Sequence, residues 1–166
     1  MPKIQTRQVN VERHSVTSSE PFEKVVANLE REIGRPDMAV FSKRIAEART
    51  IAELEPEVQK ATGPLGLMEF ARLDMGAVLR KEDDKAGKSL RLLVGNPLIM
   101  KEMAKHVPDA ASYAPVTILI DERADGVHLS YDRMASFLAS YGSAEALKVA
   151  RELDAKVEAL LTKAAS

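Results

Sequence analysis

The spacing of apolar and polar positions divides the chain into strands and helices with few gaps. Over residues 7–16, Val9 and Val11 share one parity while His14 and Val16 share the other, which predicts a first strand. Thr17, Ser18 and Ser19 then supply hydroxyls suited to capping a helix, and Pro21 lies early, where its missing N–H costs nothing. Phe22, Val25, Val26, Leu29 and Ile33 recur at i, i+3, i+4, i+7 and i+11, an amphipathic stripe that Gly34-Arg35-Pro36 ends. Residues 37–62 read as two short helices or one bent helix, with Val40, Phe41, Ile45, Ala48, Ala52 and Val58 apolar. Thr50 and Glu53 have capping-box spacing there, and Pro56 kinks any helix it sits deep inside.

Residues 67–79 begin as a strand with Met68 and Phe70 and turn ambiguous at Asp74-Met75-Gly76. The almost wholly charged 80–88 segment is a solvated connection to a strongly apolar strand at 89–94. Gly95-Asn96-Pro97 breaks that strand and opens a short helix carrying Ile99, Met100, Met103 and Val107. After a loop at 108–115, strands at 116–122 and 127–131 flank Asp125-Gly126, a good hairpin signal. Met134, Phe137, Leu138 and Tyr141 form a helical stripe stopped by Gly142. Ser143 caps a terminal helix whose apolar set is Leu147, Ala150, Leu153, Val157, Leu160 and Leu161. The order β-α-(αα)-β-β-α-β-β-α-α predicts an α+β fold: a mostly antiparallel or mixed sheet of four to five strands with helices packed on it. No repeat or linker splits the chain, so a single domain over residues 1–166 is expected, with a helical insertion at about 37–62.

A chain of 166 residues suffices for one real core, burying roughly 70% of the unfolded surface. Lys plus Arg number 24 against 25 for Asp plus Glu, and no basic block stands out, so the electrostatic footprint of a nucleic-acid binder is missing. With no cysteine there are no disulfides, thiolate nucleophiles, Fe–S clusters or Cys-based zinc sites. The N-terminal residues have a positive start without an apolar run behind it, and apolar runs such as 116–120 fall far short of the ~20 residues that cross a bilayer. A soluble, cytoplasmic protein without a membrane partner is the expectation.

The run Leu92-Leu93-Val94-Gly95-Asn96-Pro97, the Met100 to Met103 segment, Pro108, Ala111, Ala114-Pro115 leading into 116–120, Gly126 and the strand ending at Tyr131 resemble the bacterial family known as domain of unknown function 302. The first helix and the strand at 67–73 are similar in placement, so the resemblance spans about two thirds of the chain. Residues 37–62 depart from it, since members commonly pass from the first helix almost directly into the next strand. Ala114 also stands where a larger aliphatic residue is usual. The resemblance implies a compact α+β domain and a homodimer, and implies no agreed activity.

Candidate chemistry is sparse. Backbone amides at the Gly95-Asn96-Pro97 turn suit an anion near a helix start, though Asn as a cap and Pro at the first helical position account for the same residues. Met100, Met103 and His106 are soft-to-borderline ligands suited to Cu(I) or haem iron. Three-residue steps on a helix, however, leave Met100 and His106 about 120° apart, and both methionines also fit the apolar stripe. His128 lies on the opposite parity from Val127, Leu129 and Tyr131, hence on the outward side of its strand. Asp74 interrupts an apolar segment and, with His128, is the candidate general base of an isomerase or hydrolase reading. Ser130, Tyr131 and Asp132 are adjacent in a strand and make a poor triad. The reading favoured is a cofactor-free homodimer that binds a small ligand or acts as an accessory protein, with Asn96, Tyr113 and His128 lining a groove. A haem or copper carrier and an enzyme are the alternatives.

Overall fold

A computed structural model describes residues 1–166. In chain order the elements are β1 (Arg13–Ser18), α1 (Phe22–Glu32), α2 (Met38–Glu47), α3 (Ile51–Ala61), β2 (Met68–Asp74), α4 (Met75–Leu79), β3 (Ser89–Gly95), α5 (Pro97–Ala104), α6 (Ala110–Tyr113), β4 (Val116–Arg123), β5 (Gly126–Asp132), α7 (Met134–Leu138) and α8 (Ala144–Ala164), with a 3-10 turn at Ala139–Tyr141. The sheet runs β1-β5-β4-β3-β2 with every neighbouring pair antiparallel, the predicted α+β class.

Period-two alternation explains the buried face. Leu90, Leu92 and Val94 of β3, Val116, Ile118 and Ile120 of β4, and Val127, Leu129 and Tyr131 of β5 are all buried. Against them pack Phe22, Val25 and Leu29 of α1 and the stripe Leu153, Val157, Leu160 and Leu161 of α8. At 21 residues α8 is about 31 Å long, enough to cross the sheet. Each fully buried Leu or Val contributes roughly 1.5–3 kcal/mol, so this one layer holds most of the hydrophobic stabilisation. Ser143 caps α8 as expected, its Oγ accepting from Ala146 N at 3.2 Å.

The 37–62 stretch is two helices, and the break falls at 48–50 rather than at Pro56, which lies inside α3. Asp37 caps α2 by accepting from the Ala39 and Val40 amides (2.9 and 3.1 Å), and Thr50 Oγ1 accepts from Glu53 N (3.2 Å). Glu53 returns to the Arg49 N–H at 2.8 Å, closing the capping box one residue early. Phe41, Val58, Ala61 and Met68 make a small second core beneath this pair.

Three expectations are corrected. The first strand starts at Arg13, not at residue 7, because Arg13 pairs with Asp132, the last residue of β5, and leaves no ladder for Val9 and Val11. Ser18 does not cap α1. It ends β1, buried, with its Oγ donating to Ala165 O (2.6 Å) and accepting from Glu20 N (3.2 Å), while α1 follows Pro21 without a side-chain cap. The 108–115 loop contains the single turn α6.

Candidate functional site

Helices α1 and α8 cover one face of the sheet, so the alternate residues of every strand form a second, uncovered face. The register aligns them in rows. Leu73, Arg91, Leu119, Ser130 and Ser15 lie side by side across all five strands, and Ser89, Asp121, His128 and Thr17 form the next row. On the other side of the Arg91 row, Ala71 aligns with Leu93 and Thr117, while Asp132 aligns with Arg13.

Along that last row runs a groove of about 340 Å³, whose walls include Arg91, Leu93, Tyr113, Pro115, Thr117 and Phe137. A hollow of about 170 Å³ shares Arg91, Thr117 and Asp132 and extends it toward Arg13, Leu119 and Ser130. The aromatic wall is built by the single turns α6 and α7. Tyr113 stacks on Phe137 with centroids 4.6 Å apart, and its hydroxyl lies 2.8 Å from that of Tyr141. That hydrogen bond, with burial, pushes the Tyr141 phenol up, so it stays neutral and donates or accepts without ionising. The N-terminal segment braces the wall, Arg7 lying 4.2 Å above the Tyr141 ring and donating to Ser140 O at 2.8 Å.

Charge in the groove is unevenly matched. Arg13 grips Asp132 through two hydrogen bonds of 2.7 and 2.9 Å. Arg91, two strands away, makes no ion pair, and its Nη2 reaches only Thr117 Oγ1 at 3.4 Å. Of the charged groups on these walls it is the one without a partner of opposite sign, since Asp132 is held by Arg13.

The other sequence-derived candidates fall elsewhere. Asn96 is half-buried at the cap of α5, where its Oδ1 accepts from Leu98 N (2.8 Å) and its Nδ2 donates to Gly66 O (2.9 Å). His128 is on the uncovered face, four residues along β5 from Asp132, with its side chain only 14% exposed. Its Nε2 lies 2.9 Å from Asp125 Oδ1 and its Nδ1 3.4 Å from Thr17 Oγ1. The order hydroxyl, imidazole, carboxylate is that of a nucleophile relay, but Asp125 is 70% exposed and neither hollow reaches His128. Tyr113 and His128 thus share a sheet face without a hydrogen bond between them, and Asn96 belongs to a helix cap. Of the thioether and imidazole set, Met103 is inside the core, Met100 is half-buried and His106 is exposed.

Asp74 borders a larger cavity of about 810 Å³ with Phe22, Arg72, Arg80, Lys88 and Glu122. Its Oδ1 accepts from Ala77 N (2.8 Å), capping α4, and its Oδ2 accepts from Arg80 (3.2 Å). Three of its four cations are already matched, since Arg72 holds Glu69 and Glu30, Lys88 holds Glu23 and Arg80 holds Asp74, while Lys85 makes no ion pair. Most of the polar capacity of this cavity is therefore spent within the protein.

Two groups were missed altogether, Arg91 in the groove and a buried carboxylate away from it. Asp154 of α8 is fully buried, and its carboxyl accepts from Met134 N (2.7 Å) and Ala135 N (3.0 Å), capping α7 from another helix. Arg133 Nε lies 3.1 Å from Glu158 and 3.8 Å from Asp154, and the Tyr131 hydroxyl donates toward Glu158 at 3.3 Å. Burial pushes the Tyr131 phenol up, helped by the two carboxylates. A signal existed: Asp154 stands at i+4 from Ala150 and i−3 from Val157, on the apolar stripe.

Burial also pushes the Asp154 carboxyl above the ordinary aspartate range, and the two amides and Arg133 offset this only in part. An unfolded aspartate releases its proton near about pH 3.9, so above that point the native state keeps a proton the unfolded chain has lost. The contribution of this titration to stability is full below about pH 3.9 and falls away as pH rises through the folded value. Asp154→Asn, which cannot titrate, is expected to give a flatter profile of urea midpoint against pH in the acid range. Parallel profiles for the two proteins would contradict the raised pKa.

The profile of the family described as domain of unknown function DUF302 matches residues 43–164, from within α2 to the end of α8. No curated protein matches the chain. Among solved structures, the crystal structure of an uncharacterized conserved protein DUF302 from Bacillus stearothermophilus superposes with a TM-score of 0.63 at 10% identity, covering 92% of this chain and 97% of that one. At that identity the likeness speaks to the fold alone.

Proposed function

The chain belongs to the family of domains of unknown function DUF302, and from that premise, which supplies a fold and no chemistry, we propose that the protein is a homodimer that binds a small molecule in the groove at Tyr113. The observation that carries the reading is the groove itself. Its volume of about 340 Å³ falls within the roughly 300–1,000 Å³ of small-molecule sites, and it pairs an aromatic wall with one unmatched cation. No acid–base pair faces it, since Asp132 is held by Arg13, so binding fits these side chains better than proton transfer does.

A second copy is the occupant that suits the rest of the uncovered face. Leu73, Leu93 and Leu119 put apolar surface there, the kind of patch that a two-fold interface between copies buries. Seated over these residues, the second copy turns an open trough into an enclosed site. Leu119→Arg is expected to halve the mass measured by light scattering and leave the far-ultraviolet circular dichroism unchanged. A wild-type monomer, or a dimer that survives the substitution, places the interface elsewhere or removes it.

A further inference from the structure

We infer that the ligand of this groove is an aromatic monocarboxylate, its carboxylate on Arg91 and its ring against the wall of Tyr113 and Pro115. The inference rests on the reading of the groove as the ligand site and adds the ligand's class.

The argument starts from Arg91. Alternation places Leu90 and Leu92 in the core, so Arg91 points to the uncovered face, where one weak contact to Thr117 Oγ1 at 3.4 Å leaves most of its donors free. A guanidinium presents paired N–H groups that match a carboxylate in two parallel hydrogen bonds. The Thr117 hydroxyl accepts from Arg91 and keeps its own O–H to donate to the same oxygens, whereas the Ser112 hydroxyl is spent on Asp109 O at 2.8 Å. Asp132, the one acid on the wall, is neutralised by Arg13 and does not repel an incoming anion strongly.

The remaining walls select the body of the ligand. Leu93 and Pro115 are apolar, and the Tyr113 ring is held rigid between Phe137 and the Tyr141 hydroxyl. A flat ring gains from stacking on such a surface with little loss of conformational entropy. A phosphate ester fits worse, because the single unmatched cation of the groove offsets only part of a phosphate's larger charge.

The test is a titration of the ¹⁵N-labelled protein with sodium benzoate, followed by ¹H–¹⁵N correlation spectra, with benzamide as the neutral counterpart. Benzoate is expected to shift resonances of Arg91, Tyr113 and Thr117, and benzamide to bind at least tenfold more weakly. Arg91→Gln, an exposed substitution compatible with the fold, is expected to weaken benzoate at least tenfold. Equal binding of benzamide, or benzoate binding untouched by Arg91→Gln, overturns the carboxylate anchor. If benzoate shifts nothing while native mass spectrometry of the same sample shows a bound small molecule, the class is wrong and the groove reading stands. If neither is seen, both fail.

Discussion

Asp154→Ala is expected to destabilise the protein by about 3–5 kcal/mol, the range for removing one partner of a buried, hydrogen-bonded charge. The side chain is fully buried, and two buried or half-buried amides, Met134 N and Ala135 N, end on its oxygens. An alanine supplies no acceptor, and each amide left unsatisfied costs about 1–3 kcal/mol. Glu158 is then the one carboxylate left beside Arg133 Nε. In a domain of this size the loss corresponds to roughly 10 °C in Tm. Urea denaturation of wild type and variant measures it directly. A loss below about 1 kcal/mol would mean that water or another side chain takes over the cap on α7.

Gly34→Ala is expected to be of similar size, for steric reasons. A Cβ at Gly34 would lie 1.8 Å from the Ala61 carbonyl oxygen, a backbone atom with no freedom to rotate away. The backbone around it is committed: Gly34 N donates to Leu67 O (2.9 Å), Gly34 O accepts from Glu69 N (2.8 Å), and Gly63 N donates to the same Leu67 carbonyl (2.9 Å). A Cβ at Gly63 would itself come within 2.5 Å of the Ile33 carbonyl carbon, so the ends of α1 and α3 meet glycine to glycine. Overpacking usually costs about 1–3 kcal/mol, and this contact should reach the top of that range or exceed it because no side chain can give. Gly142→Ala is the comparison. Gly142 has φ +73° but nothing within 4 Å of a Cβ, so only the conformational cost of roughly 1 kcal/mol applies. If Gly34→Ala is no less stable than Gly142→Ala, the junction of α1, α3 and β2 is not as tight as described.

How far the sequence could be read depended on how local the cause was. β3, β4 and β5 were legible because alternation alone puts Leu90, Leu92, Ile118, Ile120 and Leu129 on one face, and Asp125-Gly126 marks the turn between two of them. The resemblance to the DUF302 family, carried mainly by that stretch, is matched by the family profile over residues 43–164. The start of β1 was not legible, since Val9 and Val11 alternate well enough and only the end of β5 stops the ladder. Ser18 looked like a cap because its partner, Ala165 O, is supplied by the far end of the chain. The lining of the groove was legible in part. Tyr113 could be named, but the isolation of Arg91 depends on a register that pairs Asp132 with Arg13 instead. Asp154 was hidden for the same reason, as its partners on α7 lie about 20 residues away.

The central claim, a dimer that carries a small ligand, is tested most directly by native mass spectrometry of the purified protein against its denatured mass. The expected result is a species of twice 18.2 kDa with an added mass of a few hundred daltons or less per chain, lost on denaturation and absent from Arg91→Gln. A bare monomer of 18.2 kDa that takes up nothing when small aromatic acids are added would contradict it.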